Sequence, residues 1–293
     1  MKEGDRIAIV SPAGIVKPDN VFRAVHVLKE WGFEPYIGPN ALNRHGIYAG
    51  TDAERLSDLR AALTDSNTRA IMCSRGGYGV VHLLEGLRDI NLRAAPKWII
   101  GFSDITALHA LYASQGVASI HGHMTSHLAS SGGDDDDSTA LYDILTGHFM
   151  RYVLPPEEGN RPGRVRAPLL GGNLAVLAGL IATPYNLIQP GTIFFMEDVS
   201  EPVYKIERIM YQMRLSGMLD RLSGIVVGRF TKSNGDADGE TMGEMLRRML
   251  GSYDIPVAFD VPVGHVSHNL PLVEGAMTTL EVSDDGVVID QSV

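Results

Sequence analysis

A chain of 293 residues with 44% hydrophobic content can bury a substantial core, and its length fits two ordinary domains better than one large one. The net charge of −10 argues against a nucleic-acid partner, which needs a concentrated basic surface. The single cysteine, Cys73, excludes an intramolecular disulfide and a four-cysteine zinc site, and points to a reducing compartment.

The N-terminal stretch MKEGDRIAIVSPAG sets two acidic residues before an apolar run too short for a secretory signal. The longest apolar run, LAVLAGLIA at 174–182, falls far below the roughly 20 residues that span a bilayer. A soluble, cytoplasmic protein with no membrane partner is expected.

RIAIVS (6–11) reads as a buried strand, Val21, Val25 and Leu28 recur at helical spacing, and Phe33 to Ile37 reads as a second strand. Ala53 to Leu63 is helix-like, and TRAIMCS (68–74) is a third strand, leading into RGGYG (75–79) and a helix through Leu84. KWIIGF (97–102), a helix from Thr106 to Ala113 and VASIHG (117–122) complete the series. Alternating strands and helices predict a parallel sheet covered on both faces, with ligands at the carboxyl ends of its strands.

Composition changes after about residue 130. GGDDDD (132–137) lacks the spaced ligands and terminal glutamate of a calcium loop and is expected to be a solvated loop. LPPEEGNRPGRVRAP (154–168) concentrates turn formers, so the boundary is placed there: an N-terminal domain at 1–150, a linker at 151–168 and a C-terminal domain at 169–293. Beyond it come a small-residue helix (171–184), the strand TIFFMED (192–198), an amphipathic helix (Tyr204 to Leu215), the strand GIVVG (224–228) and short β segments such as TTLEVS and GVVID. The expected second domain is α+β, with a partly antiparallel sheet.

Several residues can carry chemistry. In WIIGFSDIT (98–106), Ser103 follows a glycine at the end of a strand, where a hydroxyl stands above the sheet beside unpaired helix N–H groups. The GxSxG elbow has a second glycine where this chain has Ile105, and on the local sequence alone a helix cap by Ser103 or Asp104 is the favoured reading. The paired glycines of RGGYG let backbone N–H groups meet an anion, or simply form a tight turn; they match neither nucleotide-binding glycine motif. His265, in a loop broken by glycine and proline, has the right side chain for a general base. Glu197, Asp198 and Glu201, where the strand IFFM ends, either orient a histidine or start the next helix favourably. IHGHMTSH (120–127) offers His121, His123 and His127, but no carboxylate lies beside them at helical spacing, and no metal is expected there.

Together the ordered segments SPAG, RGGYG, IIGFSDIT, IHGHM, GGNLAVLAGLIATPY, FFMEDVSEPVYKIERIM and VPVGH with LPL resemble the LD-carboxypeptidase family. These serine peptidases include murein tetrapeptide carboxypeptidases and microcin C self-immunity proteins, and the resemblance covers nearly the whole chain. It implies Ser103 as nucleophile, Glu197 as acid and His265 as base, with the serine in the N-terminal domain, the other two in the C-terminal domain and the active site in the cleft between them. The chain has His121-Gly122-His123-Met124 where the family often has His-Gly-Pro-Met, and Glu207 where aspartate is frequent.

The expected fold class is α/β: an N-terminal flavodoxin-like parallel-sheet domain and a smaller C-terminal α+β domain. The expected activity is hydrolysis, through an acyl-enzyme, of the L,D-amide bond to a terminal D-alanine of murein tetrapeptide in cell-wall recycling. The N–H groups of Asp104 and Gly77 are candidates for the oxyanion hole, and Arg75 and Gly76 for substrate binding. No cofactor is implied; the partner is a small peptide, and the resemblance implies a homodimer. A self-immunity peptidase cleaving a peptidyl-nucleotide amide and a non-catalytic peptide-binding protein are the alternatives.

Overall fold

The computed structural model describes residues 1–233 and 239–292, which fall into two units. The first comprises Met1–His148 with Leu270–Val273, and the second Phe149–Asn269 with Glu274–Val293.

In the first unit the chain forms β1 (Arg6–Val10), α1 (Pro18–Glu30), β2 (Glu34–Ile37), α2 (Asp52–Thr64), β3 (Thr68–Cys73), β4 (Trp98–Gly101), α3 (Thr106–Ser114), β5 (Ser119–His121), α4 (Thr125–Ser131) and α5 (Asp136–Thr146). Continuous apolar runs such as RIAIV suit strands covered on both faces, and Ile7, Ile71 and Ile100 are fully buried. Helix starts follow local signals. Pro18 occupies the first turn of α1, and Thr51 and Glu54 form a capping box at α2.

Strands β1 to β5 pair in parallel in the order β2-β1-β3-β4-β5. This is the flavodoxin-like order, whose switch point lies between β1 and β3. SPAG leaves the carboxyl end of β1 and RGGYG that of β3, so both glycine loops meet at that point. After RGGYG the chain makes two short 3-10 turns, Val80–Leu83 and Glu85–Leu87, where an α-helix was expected.

The aspartate run is a correction to its reading as a solvated loop. The Asp135 side chain accepts the Ser138 N–H at 2.8 Å and caps α5, while Asp137 is buried. Helix caps and buried ion pairs both need carboxylates, so charge alone does not separate them from loops.

From Phe149 onward the chain forms β6 (Arg151–Leu154), β7 (Gly163–Asn173), α6 (Leu174–Leu180), β8 (Ile193–Val199), α7 (Val203–Leu215), β9 (Gly224–Thr231), α8 (Met242–Leu250), β10 (Val257–Ala258), β11 (Leu272–Glu274), β12 (Met277–Ser283) and β13 (Gly286–Asp290). Of these β11 joins the first unit's sheet next to β5; the rest form a seven-stranded sheet ordered β10-β9-β8-β7-β12-β13-β6. The linker expected at 151–168 is therefore a correction too: β6 and the first half of β7 lie in it. β7 pairs antiparallel with β12 over Gly163–Pro168 and parallel with β8 over Leu169–Asn173, so one strand joins the antiparallel half of the sheet to the parallel half. Among the described residues, no helix is long and apolar enough to cross a membrane.

Candidate active site

Ser103 follows β4 and has φ +66°, one of five described non-glycine residues with positive φ. Left-handed backbone costs an L-residue roughly 1–2 kcal/mol, and such strain gathers where a side chain must be aimed. The cap reading fails here. A 3-10 turn, Ser103–Ile105, precedes α3, and the residues at the cap positions of the turn and the helix are Phe102 and Ile105, neither making a side-chain cap. Asp104 reaches away instead: its buried carboxylate accepts the Val80 N–H at 2.9 Å, and burial raises its pKa.

The glycine loops pack directly on this turn. A Cβ on Gly76 would lie 2.8 Å from Ser103 Cβ and 3.0 Å from its Oγ, closer than side chains tolerate. Gly77 has φ +124°, and the Gly14 N–H donates to the Gly76 carbonyl at 3.1 Å, locking SPAG to RGGYG. Arg75 is exposed and its Nη1 donates to the Ile15 carbonyl at 2.6 Å.

In the second unit, Glu197 lies fully buried near the end of β8. The β8–β9 register shifts between Met196 and Asp198, and a bulge beside a site re-aims side chains there. Glu197 Oε2 lies 2.8 Å from His265 Nδ1. A carboxylate only accepts, so Nδ1 carries the proton and Nε2 is the basic nitrogen. Two glycines permit the approach. A Cβ on Gly264, at φ +122°, would fall 2.7 Å from Glu197 Oε2, and one on Gly228 would fall 2.6 Å from the Val263 carbonyl.

Three polar residues hold these segments, and of them only Asp198 stood out in the sequence. Buried Asn269 accepts the Gly264 N–H at 2.7 Å and fixes the turn that carries His265. Asp198 accepts from the Ala175 N–H at 2.8 Å and Asn173 Nδ2 at 3.1 Å, joining the start of α6 to the end of β8; burial pushes its carboxyl up to about 6. Buried Arg55 donates to the carbonyls of Pro12 and Gly79 and thereby spans both glycine loops. The histidine run resolves into two sets. His121 is buried near Phe102 and His109, whereas His123 and His127 meet Asp137 of α5.

The first unit thus holds a strained serine framed by glycine loops at its parallel sheet's carboxyl edge, and the second holds a histidine against a buried glutamate. The family profile for the LD-carboxypeptidase N-terminal domain matches residues 7–122, and that for the C-terminal domain matches 166–280. The murein tetrapeptide carboxypeptidase of Pseudomonas aeruginosa is 32% identical, over 94% of this chain and 93% of its own length. The crystal structure of muramoyltetrapeptide carboxypeptidase from Oxalobacter formigenes superposes with a TM-score of 0.88 at 28% identity, covering 97% of both chains. The microcin C7 self-immunity protein MccF shares the fold, with a TM-score of 0.88 at 24% identity over 100% of this chain and 98% of its own.

The chain belongs to the LD-carboxypeptidase family, and it is a peptidase hydrolase.

Proposed function

We propose that this peptidase removes the terminal D-alanine from murein tetrapeptide by a Ser103–His265–Glu197 mechanism. The observation that carries the reading is the left-handed backbone of Ser103 at the carboxyl end of β4. The Glu197–His265 pair adds to it, because a histidine held in one tautomer by a buried carboxylate is suited to accept a hydroxyl proton. The substrate follows from the relatives named for murein peptides.

The reading requires Ser103 Oγ to come within hydrogen-bond reach of His265 Nε2. The hydroxyl oxygen attacks the carbonyl of the L,D-amide while Nε2 takes its proton, and Glu197 stabilises the imidazolium. The N–H groups of Asp104 and Gly77 receive the developing oxyanion, each such donor being worth about 2.7–4 kcal/mol. His265 then protonates the amine of the departing D-alanine, and water, activated by the same imidazole, hydrolyses the acyl-enzyme. Arg75, tethered by one of its nitrogens to Ile15, grips the terminal carboxylate with the rest of its fork beside the Gly76 backbone. Recycling of cell-wall peptides in the cytoplasm and a homodimer belong to the same reading. The lone buried thiol of Cys73 is in keeping with a reducing compartment.

Ser103→Ala, folded by circular dichroism, is expected to lower D-alanine release from murein tetrapeptide by roughly 10⁶-fold. Release near the wild-type rate would remove Ser103 from the mechanism. Wild-type turnover of an acyl-sulfamoyl adenylate, with none of tetrapeptide, would favour an immunity-type activity instead.

A further inference from the structure

His123, His127, Asp135 and Asp137 lie outside the proposed peptidase chemistry. They come from three places in the first unit: the loop after β5, the first turn of α4 and the start of α5. His123 and Asp137 are buried, and the His127 side chain is only 15% exposed. One ligand atom from each of His123, His127 and Asp137 lies within 4.8 Å of the others. The two imidazole rings stack with centroids 3.4 Å apart and planes 3° from parallel. His123 Nε2 is 3.1 Å from Asp137 Oδ2, and His127 Nε2 is 2.5 Å from Asp135 Oδ2.

We propose that His123, His127 and Asp137 bind a divalent transition-metal ion of the zinc type, with the Asp135 carboxylate as the fourth ligand at the solvent side. Two imidazole nitrogens with carboxylate oxygen are a donor set for such ions, whereas calcium and magnesium take oxygen alone. Metal–ligand distances of about 2.0–2.1 Å in tetrahedral geometry set neighbouring donor atoms about 3.3 Å apart. The Nε2–Oδ2 separation between His123 and Asp137 already has that size. An ion held by both imidazoles must lie close to both ring planes, so the parallel stack opens as the ion enters, and the positive charge is then met by the two aspartates. Asp135, with a side chain 37% exposed, gives the ion a route in from solvent.

The site is structural rather than catalytic. The His123 ring meets the Phe102 ring edge-on at 6.2 Å, and Phe102 immediately precedes Ser103. A bound ion ties the loop after β5, α4 and α5 together behind the turn that holds the serine. The sequence conceals the set because its carboxylates arrive from a separate helix.

The chelator-stripped full-length chain, titrated with zinc chloride in a calorimeter, is expected to take up one ion and to unfold at a higher temperature when loaded. Cobalt(II) at the same site is expected to give visible ligand-field bands. His127→Gln and Asp137→Asn are expected to abolish both signals, whereas His26→Gln, on an exposed face of α1, keeps them. Asp135→Asn retains a good helix cap and is expected to weaken zinc binding about 10–100-fold; it carries the test if a buried variant fails to fold. No uptake by the stripped wild-type chain, or uptake by Asp135→Asn and His127→Gln at wild-type affinity, overturns the proposal and leaves two histidine–aspartate pairs.

Discussion

His109 is fully buried on α3, with Nε2 2.9 Å from the Gly101 carbonyl and Nδ1 2.9 Å from Ser119 Oγ. A carbonyl only accepts, so Nε2 carries the proton and Nδ1 accepts from the serine hydroxyl. The ring thereby braces the last residue of β4, two positions before Ser103. Burial holds its pKa down at about 4, against 6.5 for a free imidazole, despite the opposing pull of the Gly101 carbonyl. The folded group is neutral where the unfolded chain takes up a proton, so the stability it contributes is complete above pH 6.5 and is lost as pH falls towards 4. That interval corresponds to about 3 kcal/mol. Asp198, pushed up to about 6, has the opposite sign in an overlapping window, its stabilising effect fading as pH rises from 3.8 to about 6. Comparing wild type with His109→Gln cancels Asp198. Urea midpoints measured from pH 7 to 4.5 are expected to fall more steeply in the wild type; parallel curves would mean that His109 is not held neutral.

At the scale of elements, α2 acts as a clamp on the glycine loops. Its capping box fixes the first turn, and Arg55 projects from that turn to the carbonyls of Pro12 and Gly79, to Asp52, and to a position 5.0 Å from the Tyr48 ring centroid. Arg55→Met keeps much of the side-chain volume but leaves both carbonyls buried without this donor. Hydrogen bonds to charged groups are worth about 1.5–3 kcal/mol each, so urea denaturation is expected to show a loss of ~3 kcal/mol or more, and kcat/KM to fall at temperatures where the variant is folded. A variant as stable and active as wild type would show that the loops hold themselves. The elements were legible where periodicity is strong: the alternating strands and helices of the first half, apart from the 3-10 turns after RGGYG, and the strand that carries Glu197 lie where apolar spacing puts them. β7 was not, because it starts among turn formers and its first residues alternate between half-buried and exposed. Of the candidate site, Ser103, Glu197 and His265 emerged through motif order. Arg55, His109 and Asn269 did not, since their roles depend on partners that only the fold brings near. The left-handed backbone of Ser103 was equally hidden, as no second glycine marks the turn.

At the scale of the whole molecule, the chain does not simply complete one unit and begin another. After Asn269 it returns to the first unit for four residues, Leu270–Val273, before ending in the second. β11 thus sits on the β5 edge of a sheet whose other strands all precede residue 122. Leu270, Leu272 and Val273 are buried there. Full burial of an aliphatic side chain contributes about 1.5–3 kcal/mol. Three of them therefore amount to roughly 5–9 kcal/mol, comparable with the entire stability of a typical domain at about 5–15 kcal/mol. A fragment of residues 1–148, cut where the chain first changes unit, loses that contribution and exposes the backbone edge of β5. It is expected to unfold at a much lower urea concentration than the same unit in the full chain, or to aggregate through that edge. Joining residues 268–276 to its C-terminus by a glycine-rich linker is expected to restore cooperative unfolding, because the missing strand is then supplied without the second unit's sheet. If the bare fragment unfolds cooperatively at the full-length midpoint, β11 is dispensable, and the return of the chain contributes nothing to the stability of the unit that holds Ser103.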